Sequence, residues 1–333
     1  MRTVIDGNTS RRISLLSFIC TGLIVIYHSS GIAVLGNIAM SYFWSTSAFF
    51  LYLNLSKDNI RTRIIKRVGS LLLPYLLWNI IYYFLNIVFQ RPAKNEGSIV
   101  LRMLFDPYDG PLWYLFALFI ITLFSPLVLA FIRKRGKILA AVCFIICWLL
   151  GVVFKESIEA RFQYGFYFTR LFRYLPSYVF GAAAAVILNK YGDSVVELFN
   201  KNTISIACSC IVLVGFIIVK TVVWPQKWGQ TVCFIVSPFL PISLWILFDA
   251  ANVKESAFLC TIIPSAFYIY ALHSFEISLF SRALKAAHSP LLNMSVACEI
   301  VIIPSLCVGA SYLSWRLMNR FSPKFAKMLS GGR

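Results

Sequence analysis

Charge is scarce in this chain, and acid scarcer still. Of 333 residues only 13% are Asp, Glu, Lys or Arg, about half the usual share, and 13 acids stand against 31 bases. Histidine occurs three times. So little charge on so apolar a chain excludes a disordered tail protein. Long polar connections are also few. The longest, about 90–110 and 155–166, are loops rather than modules, and no soluble domain or internal repeat is visible. The nine cysteines, Cys20, Cys143, Cys147, Cys208, Cys210, Cys233, Cys260, Cys298 and Cys307, lie in apolar stretches with neither a CxxC pair nor a His cluster. They imply no zinc site and no disulfide framework, and read as small packing residues. The N-terminus lacks a short apolar region followed by a small-residue cleavage site. Its first apolar run is long enough to span a bilayer, so no signal removal is expected.

What is present is hydrocarbon. Apolar residues make up 59% of the chain, against about 45–50% in a globular domain, and the mean hydropathy is +0.77. This excludes a soluble enzyme with a single anchor and a barrel of alternating strands. At about 20 residues per crossing the apolar content supplies about ten helices. The sequence predicts an all-α, polytopic transmembrane bundle with spans at about 13–36, 38–55, 68–89, 111–131, 138–154, 167–188, 203–222, 231–249, 257–280 and 294–314. One domain then occupies 1–333, with short tails at about 1–12 and 315–333. The net charge of +18 is that of a nucleic-acid binder in a soluble protein, but here the bases sit in short loops between spans. With the N-terminus inside, about 20 of the 31 Lys and Arg fall on the cytoplasmic side, so both termini are expected there.

An ionisable side chain within a span costs about 2.5–3.5 kcal/mol on insertion scales, so each one needs a partner or a task. In "SLLSFICTGLIVIYHSSG", His28 lies about 15 residues from the inner start, about 22 Å deep at 1.5 Å per residue. In "SAFYIYALHSFEISLF", His273 lies at about 24 Å, with Glu276 one turn further on. The two imidazoles therefore share a level in the outer half. Arg170 and Arg173 of "FTRLFRYLPSYVFG", and Asp106, Asp109 and Trp113 of "DPYDGPLWYLFAL", come to a comparable level. Histidine, arginines for an anionic group and carboxylates to orient an imidazole are the ingredients of acid–base chemistry on a hydroxyl. Each also has a plainer use: interhelical hydrogen bonding for His28, His273 and Glu276, snorkelling for the arginines, an interfacial belt for Trp113.

Taken together, these stretches resemble the acyltransferase 3 family of bacterial integral membrane proteins. The family's first-helix histidine is matched by His28 and the following "SSG". "FWSTSAFFLYL" is similar to its aromatic–Ser–Gly stretch, with Ser47 retained and Ala48 in the glycine position. "RIIKRVGSLLLPYLLW" is similar to its basic inner loop, leading to Arg67, Pro74, Tyr75 and Trp78. "PLWYLFAL", "RLFRYLPSYVFGAAAA" with Phe180 and Gly181, and "FYIYALHS" with Tyr270 and His273 follow in family order. One departure stands out: the Arg and Asp that precede the family's histidine fall on Ser17 and Ser14. Arg11 and Arg12 lie one to two turns away, and Arg63 and Arg67 are the other bases placed for an anionic donor.

The resemblance implies a multi-pass protein of the bacterial inner membrane that moves an acyl group, most simply acetyl, from acyl-CoA to a sugar hydroxyl of a cell-envelope or secreted glycan. No cofactor is held permanently; acyl-CoA is a co-substrate, and the partners are the glycan or lipid-linked sugar and the bilayer, not nucleic acid. The implied catalytic residues are His28, His273 and Glu276. Arg170, Arg173, Trp113, Tyr270 and Ser47 would bind substrate, Arg63 and Arg67 the donor, and no metal is expected. Polar groups at this depth also fit a glycan or small-molecule transporter, or a non-catalytic member of an envelope assembly.

Overall fold

The computed structural model describes residues 7–53, 60–89, 107–135, 166–199, 202–223, 227–253, 256–287 and 295–332. Every regular element among them is helical, as the absence of alternating patterns predicts. Helix α1 (Gly7–Ser30) ends where Gly31 turns to φ +73°, its N–H donating to the Tyr27 carbonyl at 2.9 Å. Glycine alone adopts that left-handed conformation without steric cost. The chain therefore breaks earlier than the expected 13–36 span. Residues 33–36 instead open α2 (Ala33–Tyr52).

Next come α3 (Ile60–Val88), α4 (Trp113–Arg135), led in by a 3-10 turn at Gly110–Leu112, and α5 (Phe166–Phe199). Helix α6 (Thr203–Ile218) widens at its end into a π-turn, Val219–Val223. Two later crossings are broken near prolines, which cannot donate to the helical ladder. Helices α7 (Lys227–Val236) and α8 (Leu240–Ala250) meet at Ser237–Phe239, and α9 (Ala257–Ile262) meets α10 (Ala266–Ala286) at Ile263–Ser265. A second π-turn, Cys298–Ile302, leads into α11 (Ile303–Phe321), and α12 (Pro323–Leu329) follows.

Among the described residues seven segments are long and apolar enough to cross a membrane: Arg11–Ser30, Ile60–Val88, Gly110–Leu127, Thr203–Val223, Trp228–Ala250, Ala257–Ala286 and Cys298–Phe321. The span expected at 138–154 lies outside the described residues, as does Asp106. Those expected at 38–55 and 167–188 are helical but differ from the seven. Asn37, Ser41, Ser45 and Ser47 lower the hydropathy of α2, and in α5 the apolar stretch is the shorter Arg173–Leu188.

Helix α2 is the axis of the core. Trp44, Ala48 and Tyr52 on it are fully enclosed, and its most extensive neighbour is α5. Gly181 makes that approach possible. A Cβ there would lie 2.0 Å from the Ser45 carbonyl oxygen, so only hydrogen fits. At one end of the bundle Arg12 on α1 pairs with the Asp249 carboxylate and donates to Asn252 Oδ1 at 3.2 Å. Near α12, Trp78 Nε1 donates to Leu329 O at 3.1 Å and the Tyr268 hydroxyl to Ala326 O at 3.4 Å, fastening the C-terminal turn to α3 and α10.

Candidate functional site

The two histidines read as lying at one depth come together. Their ring centres are 5.0 Å apart, with the planes tilted by 45°. His28 occupies the last turn of α1, is exposed, and lies against Tyr27 at 4.6 Å between ring centres. His273, in the second turn of α10, is 0% exposed. Its Nδ1 lies 2.6 Å from the Tyr270 carbonyl. A carbonyl oxygen only accepts, so Nδ1 carries the hydrogen, while Nε2 has no hydrogen-bond partner among the described residues.

A cavity of about 240 Å³ opens beside His28. Its walls come from six parts of the chain. Helix α1 supplies Tyr27 and His28, α2 supplies Gly36 and Asn37, and the start of α4 supplies Trp113. Helix α5 gives Arg173 and Tyr174, the π-turn after α6 gives Lys220, and α10 gives Tyr270. Gly36 is shaped to its neighbour, since a Cβ there would come within 2.6 Å of the Tyr27 ring. Tyr270 is fixed at its tip, where the hydroxyl donates to the Pro111 carbonyl.

Trp113 is 5% exposed and belongs to the core, so it is a wall of the cavity rather than part of a lipid-facing belt. Its indole stacks with Trp44 at 6.3 Å and with Tyr174 at 6.2 Å, and Trp44 stacks on Tyr174 at 6.2 Å. Of these three mutually stacked rings Trp113 and Tyr174 line the cavity, and Trp44 is enclosed behind them. The Tyr174 hydroxyl donates to Asn37 Oδ1 at 3.1 Å, which sets the amide.

The other expected residues fall elsewhere. Glu276 is buried, but its Oε2 accepts from the Ser311 hydroxyl at 2.7 Å, so its carboxylate is turned toward α11 and does not line the cavity. Ser47 pairs with the Tyr114 hydroxyl at 3.1 Å, one layer away from the cavity. The Arg67 guanidinium lies within electrostatic reach of the Tyr114 and Tyr178 hydroxyls. Arg63 donates to the Leu53 carbonyl and so ties α3 to the end of α2. Arg170 lies on α5 three residues before Arg173; its side chain is outside the described residues.

Of the two first-helix serines, Ser17 donates to Ile13 O at 2.8 Å and meets the Tyr42 hydroxyl at 3.3 Å. Arg12, one possible substitute for the missing charges, is engaged by Asp249.

Reading the sequence for histidines and arginines misses Lys220, Asn37 and Tyr27. The signal for Lys220 was there: a lone lysine in "VLVGFIIVKTVVW", four residues after Phe216 and so on the same helix face. Tyr27, next to His28 in the sequence, and Asn37 have no comparable signature, and only the packing of α1 on α2 brings Asn37 to the cavity.

These features define a multi-pass helical membrane protein built around a polar, cation-lined chamber. The comparison of families is more specific. The chain belongs to the family of the acyltransferase domain, which matches residues 11–318, nearly its whole length. That family consists of acyltransferases, and so this chain is read as an enzyme that transfers groups other than aminoacyl groups. No curated protein and no solved structure matches it.

Proposed function

We propose that this chain is a protein of the bacterial inner membrane, with ten crossings and both termini cytoplasmic, that moves an acyl group from acyl-CoA to a hydroxyl of a cell-envelope or secreted glycan. Acetyl is the acyl group proposed. The observation that carries the reading is His28, exposed in a cavity walled by stacked aromatics and basic side chains, with the enclosed His273 ring directly behind it.

In this reading the acceptor hydroxyl approaches His28, whose imidazole takes its proton as the oxygen attacks the thioester carbonyl carbon. The C–S bond breaks as the tetrahedral centre collapses, and the CoA thiolate leaves with the proton returned from the imidazolium. Alternatively His28 carries the acyl group briefly on its own nitrogen. Arg173 lines the cavity and so reaches the negative charge that develops on the carbonyl oxygen, whereas His273 is enclosed and positions His28. Trp113, Tyr174 and Tyr270 hold the sugar. Arg67, with the Ser47–Tyr114 pair beside it, receives the donor on the inner side, where the excess of bases attracts its phosphates. Glu276, taken up by Ser311, holds α10 against α11.

The test is transfer of label from radiolabelled acetyl-CoA to envelope glycan, in membranes carrying the wild type, His28→Ala or neither. Label that depends on His28 supports the reading. Label in the wild type that persists in His28→Ala removes His28 from the chemistry. No label above empty membranes with any acyl-CoA overturns transfer, and substrate flux without modification would then identify a transporter.

A further inference from the structure

Transfer as described leaves one basic group of the cavity without a task. Lys220, in the π-turn that ends α6, is 7% exposed and lines the same cavity as His28 and Arg173. It shares the inward face of α6 with Ser209 and Phe216, while Ile211, Val214, Ile217 and Ile218 face outward. Cys233 on α7 lies within electrostatic range of both Lys220 and Arg173. Asn37, whose Oδ1 accepts from the Tyr174 hydroxyl, lines the same cavity. Among the described lining residues none is Asp or Glu.

A chamber whose described lining holds a lysine, an arginine and an amide, and no acid, is complementary to an oxyanion. Helix distortions of the π type recur at functional sites, where they place a side chain that a regular helix would not. The volume of about 240 Å³ falls below the about 300–1,000 Å³ of drug-sized ligand pockets. It admits one sugar ring with a charged substituent and not the nucleotide of acyl-CoA.

We propose that Lys220, with Asn37 and Arg173 lining the same cavity, binds an oxyanion carried by the acceptor, so that the acceptor is an acidic sugar bearing a carboxylate or a phosphate. The word acceptor rests on the transfer reading; the anion site does not.

The experiment is calorimetric titration of the detergent-solubilised full chain with glucose, glucuronate, glucose 1-phosphate and CoA, in the wild type, Lys220→Gln and Lys220→Arg. At least one charged sugar is expected to bind the wild type tenfold or more tighter than glucose. Which of the two binds tells carboxylate from phosphate. Lys220→Gln loses that preference and Lys220→Arg keeps it, with melting temperatures showing all three forms folded. Three results overturn the proposal: no preference over glucose in the wild type, the same preference in Lys220→Gln, or a loss of CoA binding in Lys220→Gln with charged-sugar binding intact. Transfer of label is recorded on the same preparation. Charged-sugar binding without transfer defeats the transfer reading and leaves the anion site standing, whereas transfer with no preference for charge defeats the anion site alone.

Discussion

His273 and His28 lie 5.0 Å apart between ring centres, yet only His28 faces the cavity. The pair is asymmetric by construction: one ring is fixed by a backbone carbonyl at Nδ1 and sealed in the core, the other exposed at a helix end. The proposed proton transfer therefore falls to His28. His28→Ala is expected to lower transfer by about 10²–10⁴-fold while the protein inserts and melts as the wild type does. Label transfer and a thermal melt in detergent, run side by side, check this.

Gly36 tests whether Tyr27 sets the position of that imidazole. The Cβ of alanine there would meet the Tyr27 ring at 2.6 Å, and the ring rests on His28. The side chain must swing aside and take His28 with it. Gly36→Ala should reduce kcat by about tenfold to a hundredfold, since misplacement of a catalytic group by about 1 Å has that order of effect. An unchanged kcat would show that Tyr27 moves without disturbing His28.

Gly181 tests the fold rather than the chemistry. Its neighbour is the backbone carbonyl of Ser45, 2.0 Å from where a Cβ would sit, and backbone cannot swing away as a ring can. Gly181→Ala should destabilise the protein by about 1–3 kcal/mol or more, read as a lowered melting temperature and poor yield, and should do so whether or not substrate is present.

Arg67 tests the donor side. Arg67→Ala should raise the acyl-CoA concentration needed for half-maximal transfer by about tenfold to a hundredfold, the range of one lost charge-assisted hydrogen bond, with the acceptor requirement unchanged. An unaltered donor dependence removes Arg67 from donor binding.

Helix class and the depth of the histidines were legible in the sequence, because both depend on local regularities: apolar run length, and a rise of 1.5 Å per residue that carries His28 and His273 to one level. The break at Gly31 accords with the preference of glycine for a helix end, while apolar residues on both sides of it make one continuous hydrophobic run in the sequence. What was not legible depends on which helices touch. Glu276 looks catalytic one turn from His273; only Ser311, 35 positions away, shows where its carboxylate goes. Trp113 looks interfacial from its place at a span boundary, and only Trp44 and Tyr174 show it to be a core residue.

The polarity of α2 bears on how the protein is made. A helix carrying Asn37, Ser41, Ser45 and Ser47 gains little from lipid by itself, because those groups need partners that hydrocarbon does not offer. Its most extensive neighbour, α5, emerges from the ribosome more than about a hundred residues later, at an average synthesis rate of about 5–20 residues per second. For several seconds α2 has α1, α3 and α4 for company but not the helix it packs against most, so the chaperoning of a half-assembled bundle, by translocon or by insertase, is part of what this sequence requires of its cell.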